Sequence, residues 1–368
     1  MSLEVGSCQE QGHRPYQEDE IVIAPGLDGE DCSEDTHLFS IFDGHAGGRC
    51  SKYLSAQMAN ALQESNSYEK CLKSAFLDAY RITNARFLVI AERSNLSDGS
   101  TGLCCALRRG KLVIANVGDC RAVMVSSRRA EALTRDQKPS SKIEASRILA
   151  LGGSVVNCLG VPRVNGVLAV SRAFGNRQLR HVIRPDPEIT ERSLSMDDQY
   201  LVLASDGVWD VLTEKDVLGV CWQPRGKSSQ QIAKDIIQLA LASGSQDNVS
   251  CIVIGLADYI ASLPHKAQPS SSSPSKAVAV VTPSSSPSEN EFDRRMLRIE
   301  FASKQHHLSP HLRSPLRSPG YAQFKRETSG MDLEVAGSML RPTLSRCQSA
   351  AVRPRKPPSF LAKQRLSF

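Results

Sequence analysis

The chain has 368 residues and a formal net charge of +6, long enough for one large domain or two ordinary ones with a sizeable buried core. Residues 259–368 carry 17 Lys and Arg against 7 Asp and Glu, while residues 1–258 hold 28 against 32. Any attraction to nucleic acid or an anionic membrane surface therefore belongs to the C-terminal stretch.

The eleven cysteines are scattered, with no C-x-x-C pair, and no apolar signal region follows Met1. No run reaches the length of a membrane span, and residue 2 is Ser, not the Gly of a myristoylation signal. We expect reduced thiols, in the cytosol or nucleus, and no transmembrane segment.

The first apolar run, residues 38–42, reads as a strand. Helical stripes follow: Cys50, Tyr53, Leu54, Met58, Ala61 and Leu62, then Cys71, Leu72, Ala75, Phe76, Ala79 and Tyr80. Strands are predicted over 103–107, 112–117 and 122–125. Arg109-Gly110 and Gly118-Asp119 separate them, which suggests consecutive antiparallel hairpins; within the first of these strands Cys104 and Cys105 point oppositely. After a strand at 200–204, Thr213 with Asp216 marks a weak helix start. Ser228 with Gln231 reads as a capping box ahead of Ile232, Ile236 and Leu239, Gly244 is placed to stop that helix, and 250–255 is the last strand. The order does not alternate strand and helix strictly, which favours an α+β arrangement of helices on antiparallel sheets over a doubly wound fold.

Residues 259–368 read differently. A serine run at Ser270 to Ser273, frequent Pro and Ser-Pro pairs at Ser309, Ser314 and Ser318 describe a basic tail that cannot bury enough apolar surface to fold. Phe292, Met296 and Ile299 could form one helical stripe within it. The expected organisation is a globular domain over 1–258 followed by a disordered tail over 259–368.

Two apolar runs end in Asp-Gly, at Asp43-Gly44 and Asp206-Gly207. Taken singly, each is a turn signal as readily as a site. Glu18-Asp19 stands four residues beyond Arg14, Asp119 follows the 112–117 run, and Asp247-Asn248 precedes the last strand. Carboxylates repeatedly set at strand ends can converge on one rim of a sheet and hold hard divalent cations such as Mg²⁺ or Mn²⁺. No H-E-x-x-H, zinc-spaced Cys/His set, Walker A loop or G-x-S-x-G elbow is present, which leaves oxygen-ligated metal chemistry. Two such metals can activate a water and clamp an in-line displacement.

The ordered segments resemble the PPM, or protein phosphatase 2C, family of metal-dependent serine/threonine phosphatases. The matching text is Arg14-Pro-Tyr-Gln-Glu18-Asp19, Phe42-Asp43-Gly44-His45-Ala46-Gly47-Gly48, Ser100-Thr101-Gly102, Asn116-Val-Gly118-Asp119-Cys-Arg121, Asp136-Gln-Lys138-Pro139, Ser171-Arg172-Ala-Phe174-Gly175, Ala204-Ser-Asp206-Gly207-Val-Trp209-Asp210 and Asp247-Asn248, in order, between Val5 and Leu256.

The resemblance implies an α-β-β-α sandwich of two antiparallel sheets flanked by antiparallel helices, with two Mn²⁺ or Mg²⁺ ions in a cleft at one end. It implies that Asp43 bridges both metals, that Gly44 adds its carbonyl, that Asp206 and Asp247 complete one metal and that Glu18 serves the other through water. Arg14 would bind the substrate phosphate, as a guanidinium fork suits phosphate oxygens. His45 would protonate the leaving serine or threonine oxygen, although a His beside Asp-Gly is also a common solvated turn residue. Asp119 and Asp210 resemble positions that hold a weaker third metal in some members. The chain departs from the family pattern at Asn176, where Asp is usual, at Gln137, where His is usual, and at Ala46, which widens D-G-H-G-G; its motif text also begins close to Met1, so the leading edge of one sheet is expected to be short.

The implied activity is hydrolysis of phosphoserine and phosphothreonine in proteins. A phosphatase-shaped module without turnover is the rival reading, but such a chain would be expected to lose Asp43, Asp206 or Asp247, and all three are present. A third reading puts the function in the tail, where a P-x-x-P within 353–358 and the positive charge could engage a scaffold or an anionic surface. Few aromatic residues are available there to stack bases, which argues against specific nucleic acid binding.

Overall fold

The computed structural model describes residues 3–29, 36–222 and 227–263. The tail features named above, from the serine run onward, lie outside the described residues.

The chain begins with β1 (Glu4–Glu10), β2 (Glu20–Ala24), β3 (His37–Phe42) and the short β4 (Gly44–His45), then two long helices, α1 (Arg49–Gln63) and α2 (Leu72–Arg93). Next come β5 (Gly99–Ser100), β6 (Gly102–Arg108), β7 (Lys111–Val117), β8 (Arg121–Ser126) and β9 (Ala130–Ala132). A lobe follows, with α3 (Lys142–Ala150), β10 (Val155–Cys158), β11 (Val161–Val164) and β12 (Phe174–Gly175). The last elements are β13 (Glu188–Ser193), β14 (Asp198–Ala204), α4 (Asp206–Trp209), α5 (Glu214–Cys221), α6 (Ser229–Ala242), β15 (Val249–Gly255) and α7 (Ala257–Ser262).

Two five-stranded antiparallel sheets dominate, ordered β1-β15-β14-β8-β9 and β13-β7-β6-β3-β2. Their central strands are apolar at nearly every position because both faces are covered, and successive residues enter different cores. Phe39, Ile41, Leu103, Cys105 and Ile114 of one sheet meet Ala122, Met124, Leu203 and Ile252 of the other. Their neighbours Leu38, Phe42, Cys104, Ala106 and Ala115 face outward onto Leu54, Met58, Phe76 and Tyr80 of α1 and α2. On the opposite outer face Val123, Val125, Val202 and Val253 pack on Val217, Ile232, Ile236 and Ala240. The result is the expected α-β-β-α sandwich. Each fully buried Leu, Ile, Val or Phe contributes about 1.5–3 kcal/mol, so three such layers of contact outweigh any local propensity.

Cys104 and Cys105 do fall into different cores, and every cysteine among the described residues is a free thiol. Arg109 and Gly110, both at positive φ, close the β6–β7 hairpin. Gly118-Asp119 does not close a second one. β7 and β8 belong to different sheets, so this turn carries the chain across the sandwich, and β8 pairs instead with β14 and β9. A local turn signal specifies a reversal but not the partner.

The two predicted helix starts also exchange strengths. Thr213 and Asp216 form the reciprocal capping box. Ser228 caps the Gln231 N–H, but the Gln231 side chain turns to Asp235 Oδ1 at 2.8 Å. The carboxylate is the better acceptor at the start of a helix.

Ile148, Val164, Val170, Ala173, Val182 and Ile183 form a separate small core in the lobe. Glu144, 4% exposed, organises it by accepting from Arg147, Arg172 and Ser171.

Candidate active site

Strand ends deliver the acidic residues to one cleft. Asp43 follows β3, and is fixed by Thr101: its N–H donates to Thr101 Oγ1 at 3.1 Å and its carbonyl accepts from the Thr101 N–H at 2.9 Å. Asp119 sits on the crossing between β7 and β8, Asp206 opens α4 directly beyond β14, and Asp247 stands just ahead of β15. Carboxylate oxygens of Asp43, Asp119 and Asp206 lie within 4.8 Å of one another. Together with Arg14, Gly44, His45, Thr101 and Asp247 they line a cleft of about 240 Å³, whose far wall is Arg163, Leu168, Ala169 and Val170 of the lobe.

The glycines of the two Asp-Gly pairs are needed for close packing. A Cβ on Gly44 would collide with the Glu18 carbonyl oxygen, and one on Gly207 with that of Asn248.

Elsewhere buried carboxylates are neutralised. Asp98 pairs with Arg49 at 2.7 Å and Asp198 with Arg192 at 2.6 Å. Among the described residues no Lys or Arg forms an ion pair with Asp19, Asp43 or Asp206. Burial and then the charges of neighbouring carboxylates therefore push Asp43 well above the usual carboxylate range. Burial, then Asp210 and Asp247, raises Asp206 to about 6. Asp119 is raised in the same way, by burial and then Asp206, while Lys138 opposes the shift. Its Oδ1 is buried with no hydrogen-bond partner.

Such a set is self-repelling without positive charge, and an all-oxygen donor group of this kind fits a hard divalent cation. The residues present thus make a candidate acidic metal site.

Comparison with known protein families matches residues 3–249 to the family described as Protein phosphatase 2C. This chain belongs to the protein phosphatase 2C family. It is 39% identical over 218 residues to "Probable protein phosphatase 2C 7" of Oryza sativa subsp. japonica, an alignment covering 59% of this chain and 57% of that one. The chain therefore spans little more than half the length of that curated relative. Among solved structures, a C. elegans sex determining protein is 28% identical with a TM-score of 0.64, over 70% of this chain and 65% of that one. A serine-threonine phosphatase 2C from Toxoplasma gondii shares the fold, with a TM-score of 0.63 at 22% identity, over 69% of this chain and 94% of that one. No helix among the described residues is long and apolar enough to cross a membrane.

Within this protein phosphatase 2C cleft, Arg14 pairs with Asp247 at 2.6 Å. His45 Nε2 lies 2.9 Å from Asn176 Oδ1, so Asn176 supplies a neutral acceptor here. Burial holds the His45 imidazole below its ordinary range, and the Asn176 contact opposes that shift. Glu18 lies outside the three-oxygen cluster. Burial raises its pKa, while the Gly47 N–H and then Arg14 stabilise its charge.

Four residues in the cleft or supporting it carry roles that the sequence does not assign, although Asp19, Gln137 and Asn248 stand within the motif text. Asp19, 2% exposed, accepts from Ser250 Oγ at 2.6 Å and is raised to about 7, first by burial. Its adjacency to Glu18 hid it, since the text alone does not tell which of two neighbouring acids turns inward. Arg163 faces the cleft from the lobe, with no local motif to announce it. Asn248 holds the N-terminal loop by donating to the Gln11 and Tyr16 carbonyls at 2.8 and 3.0 Å and accepting from the Glu18 N–H at 2.9 Å. Gln137 grips the Asp119 turn, its side chain accepting from the Gly118 N–H at 2.8 Å and donating to the Asn116 carbonyl at 3.1 Å.

Proposed function

We propose that this protein phosphatase 2C hydrolyses phosphoserine and phosphothreonine in proteins, using two divalent cations, Mn²⁺ or Mg²⁺. The carrying observation is the convergence of Asp43, Asp119 and Asp206 within 4.8 Å, beside Arg14 and His45 in one cleft. Asp43, Asp206, Asp247 and the Gly44 carbonyl would hold the cations, with Glu18 acting through water and Asp19 as a further buried carboxylate behind them. When bound, the cations supply Lewis acidity, which lowers the pKa of water and offsets phosphate charge.

The side chains do the rest. Arg14 grips the phosphoryl oxygens, and leaves Asp247 as it does so. Arg163 offers a second guanidinium from the lobe side, suited to the same oxygens or to an acidic residue beside the phosphorylated one. His45, oriented through Asn176, hands a proton to the leaving oxygen. Hydrolysis of a phosphothreonine peptide by the full chain with Mn²⁺, abolished by EDTA, is the direct test. Turnover that survives chelation, or a phosphoenzyme trapped on a cysteine, would remove this mechanism.

The basic stretch 259–368 supplies none of these residues and carries Ser-Pro and Arg-x-x-Ser sites such as Ser314, Ser318 and Ser349. We assign it to location or control in the cytosol or nucleus, through a scaffold or an anionic surface. Each phosphate added there would bring about −1.5 to −2 charges and weaken that attraction. A chain ending at residue 263 should keep its turnover on a small phosphopeptide within a few-fold.

A further inference from the structure

The end of the sandwich opposite the acidic cleft holds a second, larger cavity. β8 and β14 lie side by side and antiparallel, with Asp119 and Asp206 beyond one end of the pair and Ser126 and Asp198 at the other. The length of β14 puts about 20 Å between those ends. There a cavity of about 510 Å³ is lined by Arg128, Arg129 and Arg192 together with Ser126, Ser127 and Ser195.

The strand pair is shaped around it. Asp198 pairs with Ser126 but Tyr200 with Val125, so Gln199 is an extra residue and forms a bulge, which ends regular pairing and re-aims side chains. Asp198, 1% exposed, fixes the floor by accepting from Arg192 at 2.6 Å and from the Ser195 N–H at 2.7 Å. The two loops that form the walls are tied by the Ser127 N–H, which donates to the Asp197 carbonyl at 3.3 Å.

Arg128 and Arg129 stand exposed on this frame. Among the described residues the Arg128 side chain forms no ion pair or hydrogen bond, and Arg129 has a surface contact with Glu131 at 3.4 Å, which contributes little. Two guanidiniums in want of an anion stand out on a domain whose acids outnumber its Lys and Arg. Beside them two large apolar side chains face solvent, Trp222 at 52% and Met196 at 51% exposure. The Trp222 indole N–H reaches the Ser126 carbonyl at 3.4 Å, which holds the ring at the rim. Trp, Met and Arg are the residue types in which protein interfaces are enriched.

We propose that this cavity is a docking site for a phosphorylated serine or threonine in a segment of a partner protein, the phosphate taken by Arg128 and Arg129 and a neighbouring apolar side chain by Trp222 and Met196. Such binding needs no turnover and is independent of the catalytic reading above. Guanidinium forks match phosphate oxygens, and the Ser127 and Ser195 hydroxyls offer further donors. A cavity of this size leaves room for the residue that carries the phosphate. Asp198 is already committed to Arg192, so Asp197 is the one acid of the lining that opposes the anion.

The chain has only two tryptophans, and they stand toward the two ends of the sandwich. Trp209, 7% exposed, shares a short helix with Asp206 and donates its indole N–H to the Ala204 carbonyl, whereas Trp222 borders the cavity. In the full chain labelled with ¹⁵N-tryptophan and kept in EDTA, the two indole signals report the two ends separately, with Trp222→Phe assigning them. The probe is a short peptide of alanine and leucine around one phosphoserine. It should move the Trp222 signal saturably. The double variant Arg128→Ala with Arg129→Ala should weaken that binding by at least about tenfold, since hydrogen bonds to a charged group are lost, and Asp197→Asn should tighten it. An unmoved Trp209 signal shows that the variants keep the fold. A Trp222 signal that stays still, that moves equally with the unphosphorylated peptide, or that responds equally in the double Arg variant overturns the proposal. Equal affinity for inorganic phosphate would overturn the assignment to a protein segment, and looser binding in Asp197→Asn would overturn the placing of the anion.

Discussion

The Arg14 guanidinium and the Asp247 carboxylate meet at 2.6 Å, joining the residue assigned to phosphate with one assigned to a cation. On the proposed roles each would be the other's partner until its own ligand arrived, so phosphate and metal would be coupled through this pair. Arg14→Ala should lower kcat/KM on a phosphothreonine peptide by about 10², while Mn²⁺ affinity does not fall, because Asp247 is released. Steady-state kinetics and a Mn²⁺ titration on the same variant check both halves. Weakened Mn²⁺ binding would mean that Arg14 orders Asp247 for the cation.

Asn248→Ala should act on the same loop from behind. It would strip the Glu18 N–H and the Gln11 and Tyr16 carbonyls of their partner, at a cost of about 1–3 kcal/mol if they stay dry. Urea unfolding should register that loss, and KM should rise by more than kcat falls, since the loop carries Arg14.

Acid should stabilise the metal-free protein over part of the range. Asp19 and Asp206 sit at about 7 and about 6, both raised from 3.8. At these two groups the folded state therefore binds more protons than the unfolded state between about pH 4 and 7, and their contribution to stability falls as pH rises through that window; Asp43 and Asp119, also raised, act in the same direction, and the lowered His45 opposes them. Asp28, Asp216, Asp235 and Glu144 are shifted the other way and take over below it. Melting temperatures in EDTA should rise from pH 7.5 to 5.5, and saturating Mn²⁺ should flatten or reverse the trend. A chelated protein that melts higher at pH 7.5 would contradict the buried-cluster electrostatics.

His45→Ala should slow a phosphothreonine peptide by about 10²–10⁴ and an aryl phosphate with a good leaving group much less, with Mn²⁺ binding intact. Asn176→Ala should show the same leaving-group pattern at smaller amplitude, because it loosens the ring without removing it. Equal losses on both substrates would place His45 outside proton transfer.

The fold was legible where burial on both faces makes a strand unambiguous, as in β3, β6 and β7. It was less so at α2, whose stripe ends at Tyr80 in the text but continues through Thr83, Phe87 and Ala91 in the structure. Exposed Leu77, Val89 and Ile90 blur the period there. Edge strands such as β2 and β13 are only half-covered and alternate too weakly to be read. At the site, the two Asp-Gly acids Asp43 and Asp206, with Asp119 and Asp247 at strand ends, could be placed in advance. Asp19, Arg163, Gln137 and Asn248 could not, because their roles depend on which side of the backbone they occupy and on contacts between distant segments.

The cleft draws its acids from both layers of the sandwich: Asp43 from one sheet, Asp206 and Asp247 from the other, and Asp119 from the turn that joins them. The interior contacts of Phe39, Ile41, Met124 and Leu203 set how the layers are aligned. A sliding of one sheet over the other by the width of a methyl group would pull Asp43 and Asp206 out of register. A conservative substitution in the middle of that interior, with no contact to substrate or cation, is thereby also a change to the spacing at which the cleft works.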